Sequence, residues 1–188
     1  MATLAGNFIN ASPIGDFTIF FLALDAHIVL SNGKTRRELP LRQLYKGYKT
    51  LDKQPEEFIE QIWFELPSKN SCFHFEKVSK RTHLDIASVN SAISLTINKH
   101  KIEKAALSAG GVGPVPMYLR NTSESLKGKV VSDEAILEAI DVAQTEISPI
   151  SDARGTKEYK RLLLGQLIKA HFISLFPELN MEKSLLTI

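Results

Sequence analysis

Cysteine is nearly missing: Cys72 stands alone among 188 residues. A single thiol excludes an internal disulfide and any multi-cysteine iron–sulfur or zinc site carried by this chain, and it fits a reducing cytoplasm. Long apolar runs are absent too. Nothing approaches the roughly 18 to 20 residues that a membrane helix needs. The first residues also lack the basic-then-apolar layout of a secretory signal. The expectation is a globular, cytoplasmic protein with no membrane partner. Neither sign of charge dominates, since 23 basic and 21 acidic side chains leave a net +2, too weak a field to argue for nucleic acid. The cluster Lys77, Lys80, Arg81 reads as a solvated loop or an anion contact. The five histidines, His27, His74, His83, His100 and His171, show no ligand spacing such as HExxH, so no metal site is expected. Cys72 and His74 share one strand face but lack a third orienting group, and Cys72 reads as a small buried hydrophobe.

What is present begins with residues 6 to 16, Gly-Asn-Phe-Ile-Asn-Ala-Ser-Pro-Ile-Gly-Asp. Small residues and amides just ahead of an apolar run are the makings of a backbone cradle for phosphate. Gly6 and Gly15 would turn at positive φ, Pro13 would stiffen the turn, and Asn7, Asn10 and Ser12 would add side-chain donors. A second reading stays open: Asp16 is an ordinary N-cap for a helix over Phe17 to Leu24. Met1 to Ala5 run straight into this stretch, which suggests a cut through a domain.

Further along, Ala26 to Leu30 reads as a strand, Asn32-Gly33 as a hairpin turn, Thr35 to Leu39 as its return, and Leu41 to Tyr45 as a short helix or turn. Phe58 to Leu66 reads as another strand. Pro67 to Ser71 breaks the pattern, so a boundary is placed there, giving units 1–67 and 68–188. The second unit opens with strands over Cys72 to Ser79, Ser88 to Ile97 and Ile102 to Ala109, an antiparallel meander with a polar turn at Asn98 to Lys101. Gly110 to Pro116 reads as a turn rather than a nucleotide loop, because its prolines remove donors. Ser132 then caps a helix with Ile136, Ile140, Ala143 and Ile147 on one face, ended by Pro149. Ser151 to Gly155 is a helix-entry turn. The last helix runs from about Thr156 to Phe176 and should be buried on both sides near its end. The fold class is α+β, a three-stranded antiparallel sheet layered with helices.

These blocks fall in a known order. Gly6-Asn7, Ser12-Pro13-Ile14-Gly15-Asp16, Gly47-Tyr48-Lys49 and Gln54-Pro55-Glu56-Glu57-Phe58-Ile59 resemble the second half of the PCMH-type FAD-binding domain of molybdenum hydroxylases. Phe75-Glu76-Lys77, Arg81 and Asp85 to Val89 resemble the opening of that family's flavoprotein C-terminal domain. So do Gly110-Gly111-Val112, Leu126 to Lys129, and Ser151 to Gly155 with Tyr159-Lys160-Arg161. The likeness, which is nearest to the flavin subunit of xanthine dehydrogenase, spans nearly the whole chain.

The resemblance implies an oxidoreductase part in which electrons pass from a molybdenum centre through iron–sulfur clusters to FAD, and on to NAD or another acceptor. It implies flavin contacts at Gly6 and Asn7 near the diphosphate, at Ser12, at Asp16 through ligand hydroxyls, at Ile59 and at Lys77. Ala5 stands where many relatives have glycine. The family's first glycine-rich loop is not in this sequence. The molybdopterin and iron–sulfur cofactors would sit on partner chains or domains, with no catalytic residue here. A non-catalytic assembly module that no longer binds FAD is the alternative. Because Phe17, Ile19, Phe20, Phe21, Leu22 and Leu24 are too apolar to face water on all sides, a homo-oligomer is expected for the isolated chain.

Overall fold

The computed structural model describes residues 3–81 and 85–186; His83 and the first two residues lie outside them. Thr3 opens α1 (Leu4–Asn10): its hydroxyl accepts from the Gly6 amide at 3.0 Å, and Ala11 closes the helix at φ 50°. The expected open cradle is therefore partly helical. Gly6 lies inside α1, Gly15 has φ −68°, and the left-handed residue is Ala11. A capping threonine and the buried Phe8 outweigh the helix weakness of one glycine.

The next helix, α2 (Asp16–Ala23), takes Gly15 as its N-cap, so Asp16 is its first helical residue and not the cap. Its sequence is apolar on nearly every side, which suits a helix buried between layers. One layer is a sheet of β1 (His27–Ser31), β2 (Arg36–Pro40) and β5 (Phe58–Trp63), in antiparallel order β2-β1-β5. The turn from β1 to β2 is closed by Asn32, whose Oδ1 accepts from the amides of Lys34 and Thr35 at 2.9 and 2.8 Å. A ribbon of β3 (Tyr45–Gly47) and β4 (Thr50–Leu51) lies between β2 and β5 in the chain. Arg37 ties this unit together, bonding Glu57 through Nε at 2.7 Å and Asp52 through Nη1 at 3.0 Å. β5 stops at Trp63, short of the expected Leu66, and residues 64–68 run on without regular structure.

The other layer is the meander β6 (Ser71–Val78), β7 (Val89–Asn98) and β8 (Lys101–Gly110), extended by a two-residue β9 (Met117–Tyr118) after the Gly110 to Pro116 turn. The β7–β8 turn holds Lys99 and His100 at φ 48° and 66°, the paired left-handed geometry that suits a two-residue hairpin. One face of this sheet carries Val89, Ile93, Leu95 and Leu107 into a core with α3 (Arg120–Leu126), α4 (Asp133–Glu146) and α5 (Lys157–Leu175). Ser132 caps α4 by accepting from the Ala135 amide, and Thr156 caps α5 by accepting from the Tyr159 amide. Leu164, Ile168 and Phe172 are fully buried, and the described residues end on α6 (Glu182–Leu186).

The opposite face of the meander receives α2. Phe20 meets Phe73 and Phe75 of β6, with ring centroids 4.5 and 6.5 Å apart, and Ser108 of β8 donates to the Ile19 carbonyl at 2.6 Å. Ile19 and Leu22 are buried and only Phe17 among the apolar residues of α2 is exposed, at 55%. The expected uncovered apolar helix is thus covered by the second sheet, and the reason for expecting self-association lapses.

Candidate functional site

Strand register sets three residues in a row under the first turn of α2. Lys77 on β6 pairs with Asn90 on β7, and Asn90 pairs with Gly110 on β8. Directly opposed residues share one sheet face, and this face is turned to α2. Lys77 Nζ reaches Asp16 Oδ2 at 2.8 Å, and Asn90 Nδ2 donates to Asp16 Oδ1 at 2.6 Å and to the Ile14 carbonyl at 3.2 Å. Gly111, in the left-handed region at φ 80°, donates its amide to the Pro13 carbonyl at 2.9 Å. The segment before α2 is thereby seated on the sheet.

Lys77 is braced from outside the row as well. Its Nζ donates to the Asp85 carbonyl at 2.9 Å, and the Asp85 carboxylate accepts from the amides of Arg81 and Ile86, both at 2.9 Å. Burial works to raise Asp85, but these donors outweigh it and hold its carboxyl below the usual range. The 151–155 turn then clasps the same loop: Lys80 Nζ donates to the Ala153 carbonyl at 2.7 Å and Ser88 Oγ to that of Arg154 at 3.1 Å. Lys160 on α5 fixes the turn through Asp152 at 2.7 Å. That turn therefore serves structure, as read from sequence, while supporting Lys77 from behind.

The other expected site residues are more scattered. The Gly6 amide is held by Thr3 Oγ1 and the Asn7 amide donates to the Thr3 carbonyl at 3.0 Å, so neither is an open loop donor. Asn7 instead replaces the missing cap of α2, its Oδ1 accepting from the Thr18 amide at 3.3 Å and hydroxyl at 3.0 Å. Ser12 Oγ accepts a long bond from the Ile14 amide at 3.4 Å. Ile59 sits half-buried on β5 against the buried cluster of Phe8, Ile19, Ile28 and Leu30. Asp16 and Lys77 are brought together; Asn90, which bonds the same Asp16 carboxylate, is one of several polar residues in its strand, beside Ser91, Ser94 and Thr96, and nothing local marks it out.

The chemistry of this cluster suits ligand hydroxyls better than phosphate. An ionised carboxylate offers about four lone-pair sites. Asn90 and Lys77 occupy one on each oxygen, and the Asp16 side chain remains 41% exposed. Acceptor capacity is left for hydroxyl donors of the kind FAD carries. A diphosphate at this point would meet the Asp16 charge.

Histidine gives a second cluster on the far face of β6. His171 on α5 is fully buried, and its Nδ1 lies 2.9 Å from Nδ1 of His74, whose Nε2 is 3.4 Å from Glu76 Oε1. Burial, helped by the nearby His74, holds His171 down to about 3, so it stays neutral. Burial pushes the Cys72 thiol up, away from a reactive thiolate. Among the described residues no group of three or more metal-ligating side chains is assembled, and no helix is long and apolar enough to cross a membrane.

Residues 74–175 match the CO dehydrogenase flavoprotein C-terminal domain, and residues 1–68 match the FAD-binding domain in molybdopterin dehydrogenase. The glyceraldehyde dehydrogenase medium chain of Sulfolobus acidocaldarius is 28% identical over 92% of this chain and 60% of its own length. The carbon monoxide dehydrogenase medium chain of Afipia carboxidovorans is 26% identical over 90% of this chain and 58% of its own. Among solved structures, the reconstituted CO dehydrogenase from Oligotropha carboxidovorans superposes with a TM-score of 0.85 at 25% identity, over 90% of this chain and 59% of that one. The chain thus spans about 60% of the length of the medium chains it matches.

Proposed function

The chain belongs to the family of FAD-binding subunits of molybdenum hydroxylases, and from that membership we propose that it forms part of a flavin site that relays electrons within such an oxidoreductase. Electrons would arrive from iron–sulfur clusters and leave through FAD to NAD or another acceptor. The molybdopterin and iron–sulfur partners, with the first half of the FAD-binding domain, complete the assembly in the cytoplasm. Substrate hydroxylation takes place on another chain. The chain divides near 67/68 into units 1–67 and 68–188, a division supported by the separation of the β2-β1-β5 sheet and the β3-β4 ribbon from the meander and by the two matched stretches.

One observation carries this reading: the Asp16 carboxylate is fixed by Lys77 and Asn90 yet half-exposed, with acceptor capacity left over. FAD supplies the redox chemistry when bound, and the protein's part is to place and tune it. Asp16 holds ligand hydroxyls. Lys77 sets a cation beside the site, the Ser12 hydroxyl adds a donor, and Ile59 contributes apolar contact.

The assembly reading draws support from a different fact. The amides of Gly6 and Asn7, expected near the diphosphate, are taken up inside α1. Asp16→Ala in the complete flavoprotein complex separates the two. The flavin reading expects FAD affinity to fall about tenfold or more, the loss of a charge-assisted hydrogen bond, with little change in melting. A complex that assembles with full partner stoichiometry but never holds FAD supports the assembly reading instead.

A further inference from the structure

Asn90 is an unusual residue for its place. It is fully buried in the central strand of the meander, in a row otherwise given to Val89, Ser91, Ala92 and Ile93. Its Nδ2 finds two acceptors, Asp16 Oδ1 and the Ile14 carbonyl, which fixes the orientation of the amide because both partners only accept. Its Oδ1 is buried with no hydrogen-bond partner. The room for that oxygen comes from Gly110 across the strand pair, where a Cβ would overlap it. A buried acceptor left unpaired lowers stability. The amide is thus served on one side only: its NH2 group meets Asp16 and the Ile14 carbonyl, while its oxygen meets nothing.

What the amide does achieve is orientation. Without it, the half-exposed Asp16 carboxylate is held only by Lys77, on one oxygen. With it, one carboxylate oxygen is pinned from the sheet and the other from Lys77, and the same NH2 group holds the carbonyl of Ile14 two residues earlier. The plane of the carboxylate and the backbone entering α2 are set by one buried group.

We propose that Asn90 is a positioning residue of the flavin site, acting through Asp16 to aim its carboxylate at the hydroxyls of bound FAD. This rests on the reading of Asp16 given above. The test is a double-mutant cycle in the complete flavoprotein complex, following FAD release by the fluorescence of the freed flavin and melting of the FAD-free complex alongside. Asn90→Leu is expected to weaken FAD binding about tenfold, the scale of one charge-assisted hydrogen bond, when binding is read at a temperature where the FAD-free variant complex is fully folded. The Asn90→Leu/Asp16→Ala double variant should bind no more weakly than Asp16→Ala alone, because the amide acts through the carboxylate. Should Asn90→Leu fail to fold, Asn90→Ser, too short to reach Asp16, is read in the same way. Normal FAD affinity in the Asn90 variant beside weakened affinity in Asp16→Ala overturns the role of Asn90 alone. So do additive losses in the double variant. Normal affinity in Asp16→Ala overturns the parent reading, and the role of Asn90 with it.

Discussion

Lys77 Nζ lies 2.8 Å from Asp16 Oδ2, which joins the second strand layer to the first turn of the helix packed across it. Two residues expected to touch a flavin separately are thus partners of each other. The pair is 28% and 41% exposed on its two sides, and a half-exposed ion pair adds only about 0–1 kcal/mol to stability. Its value lies in holding the carboxylate, together with Asn90, at the surface.

Lys77→Met should therefore change stability by no more than about 1 kcal/mol while weakening FAD binding in the complete flavoprotein. Urea unfolding and flavin release measured on the same preparation check both halves. A loss of several kcal/mol with unchanged FAD affinity would make the pair a clamp between layers and nothing else.

Gly110→Ala tests the packing beneath that pair. A Cβ at Gly110 would overlap Asn90 Oδ1 and stand 2.8 Å from the Pro13 carbonyl, where backbone has little freedom to yield. Overpacking of this kind costs about 1–3 kcal/mol. Gly33→Ala is the comparison, since Gly33 has open space around it and only its φ of 85° resists a side chain; its loss should stay near 1 kcal/mol. Chemical denaturation of the two variants should rank them in that order.

Much of this architecture was legible in the sequence because local signals and tertiary packing agree there. Ser132 and Thr156 cap their helices as polar residues ahead of apolar periodicity should. Asn32-Gly33 turns a hairpin, and the alternation in β6 to β8 gives the meander. The start of the chain was misread for an equally physical reason. Glycine and asparagine at positions 6 and 7 look like loop residues, yet Thr3 caps a helix through them and Asn7 is used at long range to cap α2. The site was half legible. Asp16 and Lys77 stood out as charges, but Asn90 acquires its meaning only from a register that sets it between Lys77 and Gly110, and pairing across strands is not written in either strand alone.

His171 gives a prediction about acid. Burial, with His74 adding to it, holds the folded-state value down to about 3 from an ordinary 6.5. Between these values the unfolded chain carries a proton on this ring that the folded chain does not, so stability rises with pH across the window. The contribution is complete above about 6.5 and is lost as pH falls toward 3. His171→Leu should flatten the fall in melting temperature between about pH 6.5 and pH 4. At neutral pH it loses one hydrogen bond to His74, worth about 1 kcal/mol. An unchanged pH profile in the variant would mean that the ring is protonated, or exposed, in the folded protein.

The chain purified alone should retain far less than one FAD per molecule. The reason lies in which groups are free. Asp16 can only accept, and the amides of Gly6 and Asn7 are bonded within α1, so this part of the site offers hydroxyl recognition with little to neutralise a diphosphate. Lys77 is already paired with Asp16. A ligand of this size ordinarily has most of its surface enclosed by protein, and a half-exposed carboxylate on one wall does not enclose it. On the proposed flavin reading, donors for the phosphates come from outside this stretch; the chain spans about 60% of the length of the medium chains it resembles. Visible flavin absorbance of the isolated chain after gel filtration, compared with that of the complete complex, decides the matter. Retention near one FAD per isolated chain would show that α1 opens to release its amides, and the helix seen here would then be only the ligand-free state.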